Sequence, residues 1–188
     1  MLGNDVVDLR DTESRHPRFD VRVFDATERA LIKACSEPER TRWLFWAAKE
    51  SAYKAARKED PWTMFSPPRF AVRPDSDGRL RVTIGNREFR VHAVVDAEHV
   101  HTVARRVGDP ADALCSAIAR ADGDSSVAVR LLAIATVAAH LAVPFADLAI
   151  VRDGRIPTLW YRGRRSDADL SLSHHGRFVA FACADMRA

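Results

Sequence analysis

Trp46, Glu50 and Lys54 recur at four-residue intervals in the stretch Trp-Ala-Ala-Lys-Glu-Ser-Ala-Tyr-Lys, so on a helix they share one face, with Lys49 and Tyr53 beside it. A carboxylate and an ammonium next to an aromatic anchor suit a cation or phosphate site, and equally suit an ordinary surface ion pair with Trp46 in the core. Near the start, Asp5 and Asp8 interrupt the apolar run Leu2 to Leu9. Read as a strand, the run places Asp5 and Val7 on one face and Asp8 on the other. A buried carboxylate there is costly unless a cation meets it, so Asp5 is expected opposite a cation or at a solvated strand edge. Towards the other end, Ser171-Leu-Ser173-His174-His175-Gly176 gathers hydroxyls, imidazoles and a glycine at a turn. That composition fits a phosphate or oxyanion site, or a polar hairpin tip. His99 and His101 share a strand face near His92, which permits metal ligation, but solvated strand histidines are expected.

The elements that position these residues follow from periodicity and punctuation. Asp25 is an expected N-cap for a helix over Ala26–Ser36, and a second helix runs from about Glu39 to Arg57 after Pro38. Four strands, 70–73, 80–84, 88–95 and 100–104, are separated by the turn signals Asp75-Ser-Asp-Gly78 and Gly85-Asn86. Residues 108–126 read as a joining segment, with a helix over Ala111–Ala121 as an option. Ser125 or Ser126 is expected to cap a buried apolar helix ending before Pro144. A hairpin over 148–161 and two final strands, 168–176 and 177–183, complete an α+β pattern.

Composition excludes several classes. With 188 residues, 47% of them apolar and 29% charged, the chain is long enough to bury a sizeable core and is not of disordered type. Its longest apolar run, Leu131 to Val143, is broken by His140 and falls short of the roughly 20 residues a membrane span needs. Three widely spaced cysteines and no secretory leader suggest reduced, buried thiols in a cytoplasmic protein. The net charge of +3 comes with dispersed arginines and no nucleic-acid-binding motif, which suits phosphate or acidic protein partners better than nucleic acid.

Taken together, Gly3-x-Asp5-x-x-Asp8, Trp46-Ala-Ala-Lys49-Glu50-x-x-x-Lys54 and Ser171-x-Ser173-His174 resemble the three signature motifs of the 4′-phosphopantetheinyl transferase superfamily. Residues 1–57 are most similar to its holo-acyl-carrier-protein synthase branch, including Arg18-Phe19 and Arg22. The resemblance implies Mg²⁺-dependent transfer of phosphopantetheine from coenzyme A to a carrier-protein serine, with 3′,5′-ADP leaving. It implies Asp5, Glu50 and Asp8 as metal ligands, with Glu50 and Lys54 catalytic. Lys54, Ser173, His174, Arg155 and Arg130 would contact coenzyme A, and Arg18, Arg22 and Arg10 would dock an acidic carrier. Three departures stand out: Asp8 where the synthase branch has Glu, Arg155 with an extra residue before Pro157 where the family has Gly-Lys-Pro, and His175 after the Ser-x-Ser-His. The alternative is a module that binds coenzyme A or carrier proteins without chemistry.

The longer, surfactin-type members join two similar halves in one chain. Here residues 1–106 resemble their second half, with the metal motifs. Residues 125–188, with Arg130-Leu-Leu and Ser-Leu-Ser-His, resemble their first, so the halves stand in exchanged order across a linker at 107–124. A weak echo between Val100–Ala104 and Phe178–Ala182 accords with two related units. The resemblance therefore implies a monomeric pseudodimer, the rival being a trimeric synthase fold with an inserted meander.

Overall fold

Alternation fixes the two faces of the first strand, β1 (Leu2–Asp8), which is buried along its whole length except at Asp5, itself only partly covered. The computed structural model describes residues 1–11, 16–109, 114–154 and 156–186. After β1 come α1 (Phe19–Val23), α2 (Ala26–Ala34) and α3 (Pro38–Glu59). Asp25 caps α2 as expected, and Glu28 returns the bond to the Asp25 amide in a capping box. β2 (Ala71–Pro74), β3 (Leu80–Ile84), β4 (Arg87–Val95) and β5 (His99–Arg106) then join β1 in an antiparallel sheet ordered β1-β5-β4-β3-β2. The alanine-rich face of α3, at Ala48, Ala52, Ala55 and Ala56, packs on this sheet against Val72, Val82, Phe89 and Ala104. Small side chains let the helix backbone approach the strands closely.

A second unit follows: β6 (Cys115–Arg120), α4 (Ser125–Leu141), β7 (Leu148–Asp153), β8 (Ile156–Tyr161), β9 (Arg164–Arg165), β10 (Asp169–His175) and β11 (Phe178–Ala184). Its main sheet is ordered β10-β11-β6, with β7-β8-β9 as a smaller one. α4 buries Val129, Ala133 and Val137 against Leu170, Phe181 and Cys183.

The reading of 107–124 as a linker is corrected by β6, which lies inside it. Every residue of β11 is buried, so both of its edges need backbone partners, and β6 supplies the second. That demand overrides the weak strand propensity of Ser116, Ala117 and Ala119 and excludes a helix over 115–120. The cap of α4 is Asp124, whose side chain accepts from the Ser126 and Val127 amides, rather than Ser125 or Ser126.

With β6 included, the two units run in parallel fashion. Each opens on a strand, passes through a long helix and a hairpin, and closes on two strands, and the order β6-β11-β10 repeats β1-β5-β4. The echoing segments fall on β5 and β11, each the middle strand of its three. The sheets meet face to face, Leu2 and Val103 packing on Ala182 and Ala184, and Val6 on Phe178 and Ala180. Among the described residues no helix is long and apolar enough to cross a membrane. Cys115 and Cys183 are buried and Cys35 half-buried, all three as free thiols.

Candidate active site at the seam of two sheets

Gly3 sets the geometry of the site. A Cβ there would collide with the Ser51 carbonyl oxygen and lie 2.6 Å from the Ala55 nitrogen, so only glycine lets β1 cross the backbone of α3 this closely. Two residues on, Asp5 consequently meets Lys54. The Lys54 ammonium donates to Asp5 Oδ1 at 2.8 Å and to the Asn4 carbonyl oxygen at 2.9 Å. One turn earlier on α3, Glu50 is half-buried and its carboxylate makes no hydrogen bond among the described residues. Burial first, and the Asp5 charge second, push its carboxyl up to about 7 against the pull of Lys54. The ion pair of the sequence reading is therefore a helix-to-strand pair, with Glu50 left over as a second acid.

A cleft of about 240 Å³ opens beside this cluster. On one wall are Tyr53, Lys54, Arg57 and Lys58 of α3; on the other are Ile156, Pro157, Ser171 and Leu172 of the second unit. Arg57 donates to the Tyr53 hydroxyl at 2.8 Å. Lys58 spans the seam, donating to Asp169 and to the Leu170 carbonyl oxygen. Three cations on one wall make this a cleft for an anionic ligand. The acid pair next to it fits a hard divalent cation. Among the described residues no set of three or more metal-ligating side chains exists. Asp5 and Glu50 alone match an ion that takes one or two carboxylates and leaves its remaining positions to water and phosphate oxygens.

Residues 1–107 match the family model of the 4′-phosphopantetheinyl transferase superfamily. The chain belongs to this superfamily. The matched region holds Gly3, Asp5, Glu50 and Lys54, the residues that build the acid pair and its cation. No match was found among curated proteins. Among solved structures, the chain is similar to the Helicobacter pylori holo-[acyl-carrier-protein] synthase solved in complex with coenzyme A, at 20% identity and a TM-score of 0.46, over 56% of this chain and 99% of that one. The acyl carrier protein synthase of Mycobacterium tuberculosis aligns at 23% identity and a TM-score of 0.42, covering 55% and 92%. The Thermotoga maritima holo-[acyl-carrier-protein] synthase aligns at 12% identity and a TM-score of 0.46, covering 87% and 83%.

The structure brings only some of the superfamily's motif residues to the cleft. Asp8, expected as a metal ligand, points to the opposite face of β1 from Asp5 and is 1% exposed. Its carboxylate accepts from Nε, Nη2 and the backbone amide of Arg177, and from the Arg10 amide, which fills its lone-pair directions. The Arg177 hydrogen bond holds it well below the usual carboxylate range. Gly176 closes on the same acid, since a Cβ there would lie 2.6 Å from Asp8 Oδ2. The expected phosphate turn is thus a clamp on a carboxylate.

Ser173 is also redirected. It is 5% exposed, takes the Asn4 side-chain amide at 2.8 Å and donates to the Ala180 carbonyl oxygen. Ser171 accepts from the Asn4 backbone amide at 2.9 Å, His175 Nδ1 from the Asp8 amide at 3.1 Å, and Asp169 from the Leu2 amide. Side chains of β10 therefore cap the free edge of β1 in step, which blunts an edge that backbone pairing leaves open. No spacing rule on either strand alone reveals this. His174 is exposed and alternates onto the face that carries the cleft residue Leu172.

Arg130 bonds back to Ser126 within the first turn of α4 and does not line the cleft. Arg155 lies outside the described residues. Lys49 is neither a phosphate contact nor solvated: it is fully buried, pairs with Glu28 at 2.8 Å and donates to the Pro67 and Phe70 carbonyl oxygens. Burial lowers its pKa, with Glu28 opposing. The strand histidines are not uniformly solvated either. His101 is 3% exposed beside Asn4, and burial pulls it down to about 4, whereas His92 is exposed. Sequence reasoning passed over Arg57 and Lys58; their i+3 and i+4 spacing from Lys54 is the signal that points to them.

Proposed function

We propose that this chain transfers the 4′-phosphopantetheine group from coenzyme A to a serine of an apo carrier protein, releasing 3′,5′-ADP, with Mg²⁺ required. The observation that carries the reading is the juxtaposition of Asp5, Glu50 and Lys54 with a cation-lined cleft between the two units. Asp5 and Glu50 hold the Mg²⁺, which when bound neutralises pyrophosphate charge. Lys54, Arg57 and Lys58 bind the phosphates of coenzyme A, with His174 two residues beyond the wall residue Leu172 on the same side of β10. The carrier serine oxygen attacks the β-phosphorus, its bond to phosphorus forming as the bridge to the α-phosphate breaks, and charge on the departing 3′,5′-ADP falls beside Lys54. Glu50 takes the serine proton directly or through one water.

Arg18 and Arg22 are exposed on and beside α1, with Val21 66% exposed between them, and supply a basic and apolar landing site for the carrier. Arg10 is a weaker candidate because Glu98 already engages it at 3.2 Å. The repeated strand order supports a monomeric pseudodimer with its site at the seam, of which the first unit is the metal-binding half. Light scattering that reports a trimer of these 21.0 kDa chains would overturn that assembly.

Incubation with Mg²⁺, coenzyme A and a panel of apo carrier proteins, read by mass spectrometry, tests the activity. Addition of phosphopantetheine to at least one carrier, lost in Glu50→Ala, is the expected result. Tight coenzyme A binding without transfer to any carrier, unchanged by Glu50→Ala, would replace the enzyme with a binding module.

A further inference from the structure

Four arginines stand directly opposite one another across the first sheet. Arg73 pairs in register with Arg81, Arg81 with Arg90, and Arg90 with Arg105. The neighbouring register row, Val72, Val82 and Phe89, faces the core under α3, so the arginine row occupies the outer face. At about 4.8 Å per strand the row is roughly 14 Å long. Like charges placed directly opposite destabilise a sheet, so such a row is expected to meet anions. Within the chain it does so incompletely. Asp25 holds Arg73, and Asp75 and Glu88 hold Arg81. The side chains of Arg90 and of Arg79, in the turn before β3, are exposed and make no hydrogen bond or ion pair among the described residues.

We infer that this outer face of β2, β3 and β4 docks the acidic surface of a second protein, away from the transfer site. Three features select that occupant. Arg90 and His92 line a cleft of about 130 Å³ with Leu114 on this face, and a larger one of about 440 Å³ with Arg79 opens at the sheet margin, where it reaches Leu44 of α3, so Arg79 and Arg90 flank a contoured surface. Val94, next after Arg90 and His92 on the outward side of β4, is 44% exposed and Leu114 38%, which gives the arginines the apolar neighbours of a protein interface. The outward-facing residues of β3 and β4 include no Phe, Tyr or Trp, the stacking platforms that sheet-face binders of single-stranded nucleic acid use. Arginine in place of lysine suits bidentate capture of carboxylates.

The inference stands independently of the transferase reading. Fluorescence anisotropy of a labelled helical peptide, about 20 residues long with glutamates along one face and leucines beside them, tests it on the full chain. R79Q/R90Q removes two cations without breaking an ion pair, so folding is retained, which a thermal melt verifies. Wild type is expected to bind with an affinity that falls as salt rises. R79Q/R90Q should bind about tenfold more weakly, and R18Q/R22Q within about twofold of wild type. Absence of wild-type binding, equal binding by R79Q/R90Q, or an equal loss in R18Q/R22Q would each overturn it. Tighter capture of a single-stranded oligonucleotide than of the peptide, lost in R79Q/R90Q, would overturn it in favour of nucleic acid.

Discussion

Gly3 and Ser51 are in backbone contact: a side chain on the strand residue would run into the carbonyl oxygen of the helix residue. The contact places Asp5 within 2.8 Å of Lys54. Gly3→Ala must push β1 off α3, and the neighbouring groups are backbone with little room to yield. A loss of about 1–3 kcal/mol is expected in urea unfolding, together with reduced transfer as Asp5 leaves Glu50 and Lys54. Unchanged stability would show that the helix can shift at no cost.

Lys49 and Glu28 form a fully buried pair, so removal of one member strands the other. Lys49→Met is expected to cost about 3–5 kcal/mol, more than any surface pair in this chain could. Because Lys49 does not line the cleft, the folded fraction of this variant should retain its KM for coenzyme A. A raised KM with intact stability would return Lys49 to the phosphate site.

His101 links stability to pH. Its folded pKa lies near 4 against an ordinary 6.5, so between these values the unfolded chain binds the extra proton and stability falls as pH drops. The full window amounts to roughly 3 kcal/mol. Glu50, raised to about 7, acts in the opposite sense between about 4.5 and 7, because there the folded chain holds the extra proton. The clean comparison is therefore Glu50→Gln against Glu50→Gln/His101→Gln, unfolded in urea from pH 7 to pH 4. The first should lose stability with acid more steeply than the second, and parallel curves would refute a buried neutral imidazole.

Asp8 and Asp5 separate structure from metal binding. Asp8→Asn leaves the Arg177 guanidinium facing a neutral amide, so a lower urea midpoint is expected with Mg²⁺ affinity nearly unchanged in the folded protein. Asp5→Asn should weaken Mg²⁺ binding in calorimetry. If Asp8→Asn abolished Mg²⁺ binding in folded protein, the clamp would have to open to release a ligand.

Much of the architecture was legible in the residues because it depends on local signals. The capping box at Asp25 and Glu28, the proline in the first turn of α3 and the Asp75 to Gly78 turn act within a few residues of themselves, and the elements they bound formed close to where expected. β6 was not legible, since its alanines and serine favour no strand and only the open edge of β11 requires one. Arg57 and Lys58 could be placed on α3, but that they face Ile156 and Pro157 depends on how the two units meet.

The sequence by itself determined the superfamily and the chemical groups of the candidate site: Gly3, Asp5, Glu50 and Lys54 are set by type and spacing on one strand and one helix. Tertiary structure alone decided which of the remaining motif residues are taken up by partners elsewhere in the chain. Asp8, Ser173 and Lys49 carry the same functional groups as a site would, yet Arg177, Asn4 and Glu28 have taken them up. A polar group's role depends on whether a partner distant in sequence satisfies it after folding, and no local pattern encodes that partner.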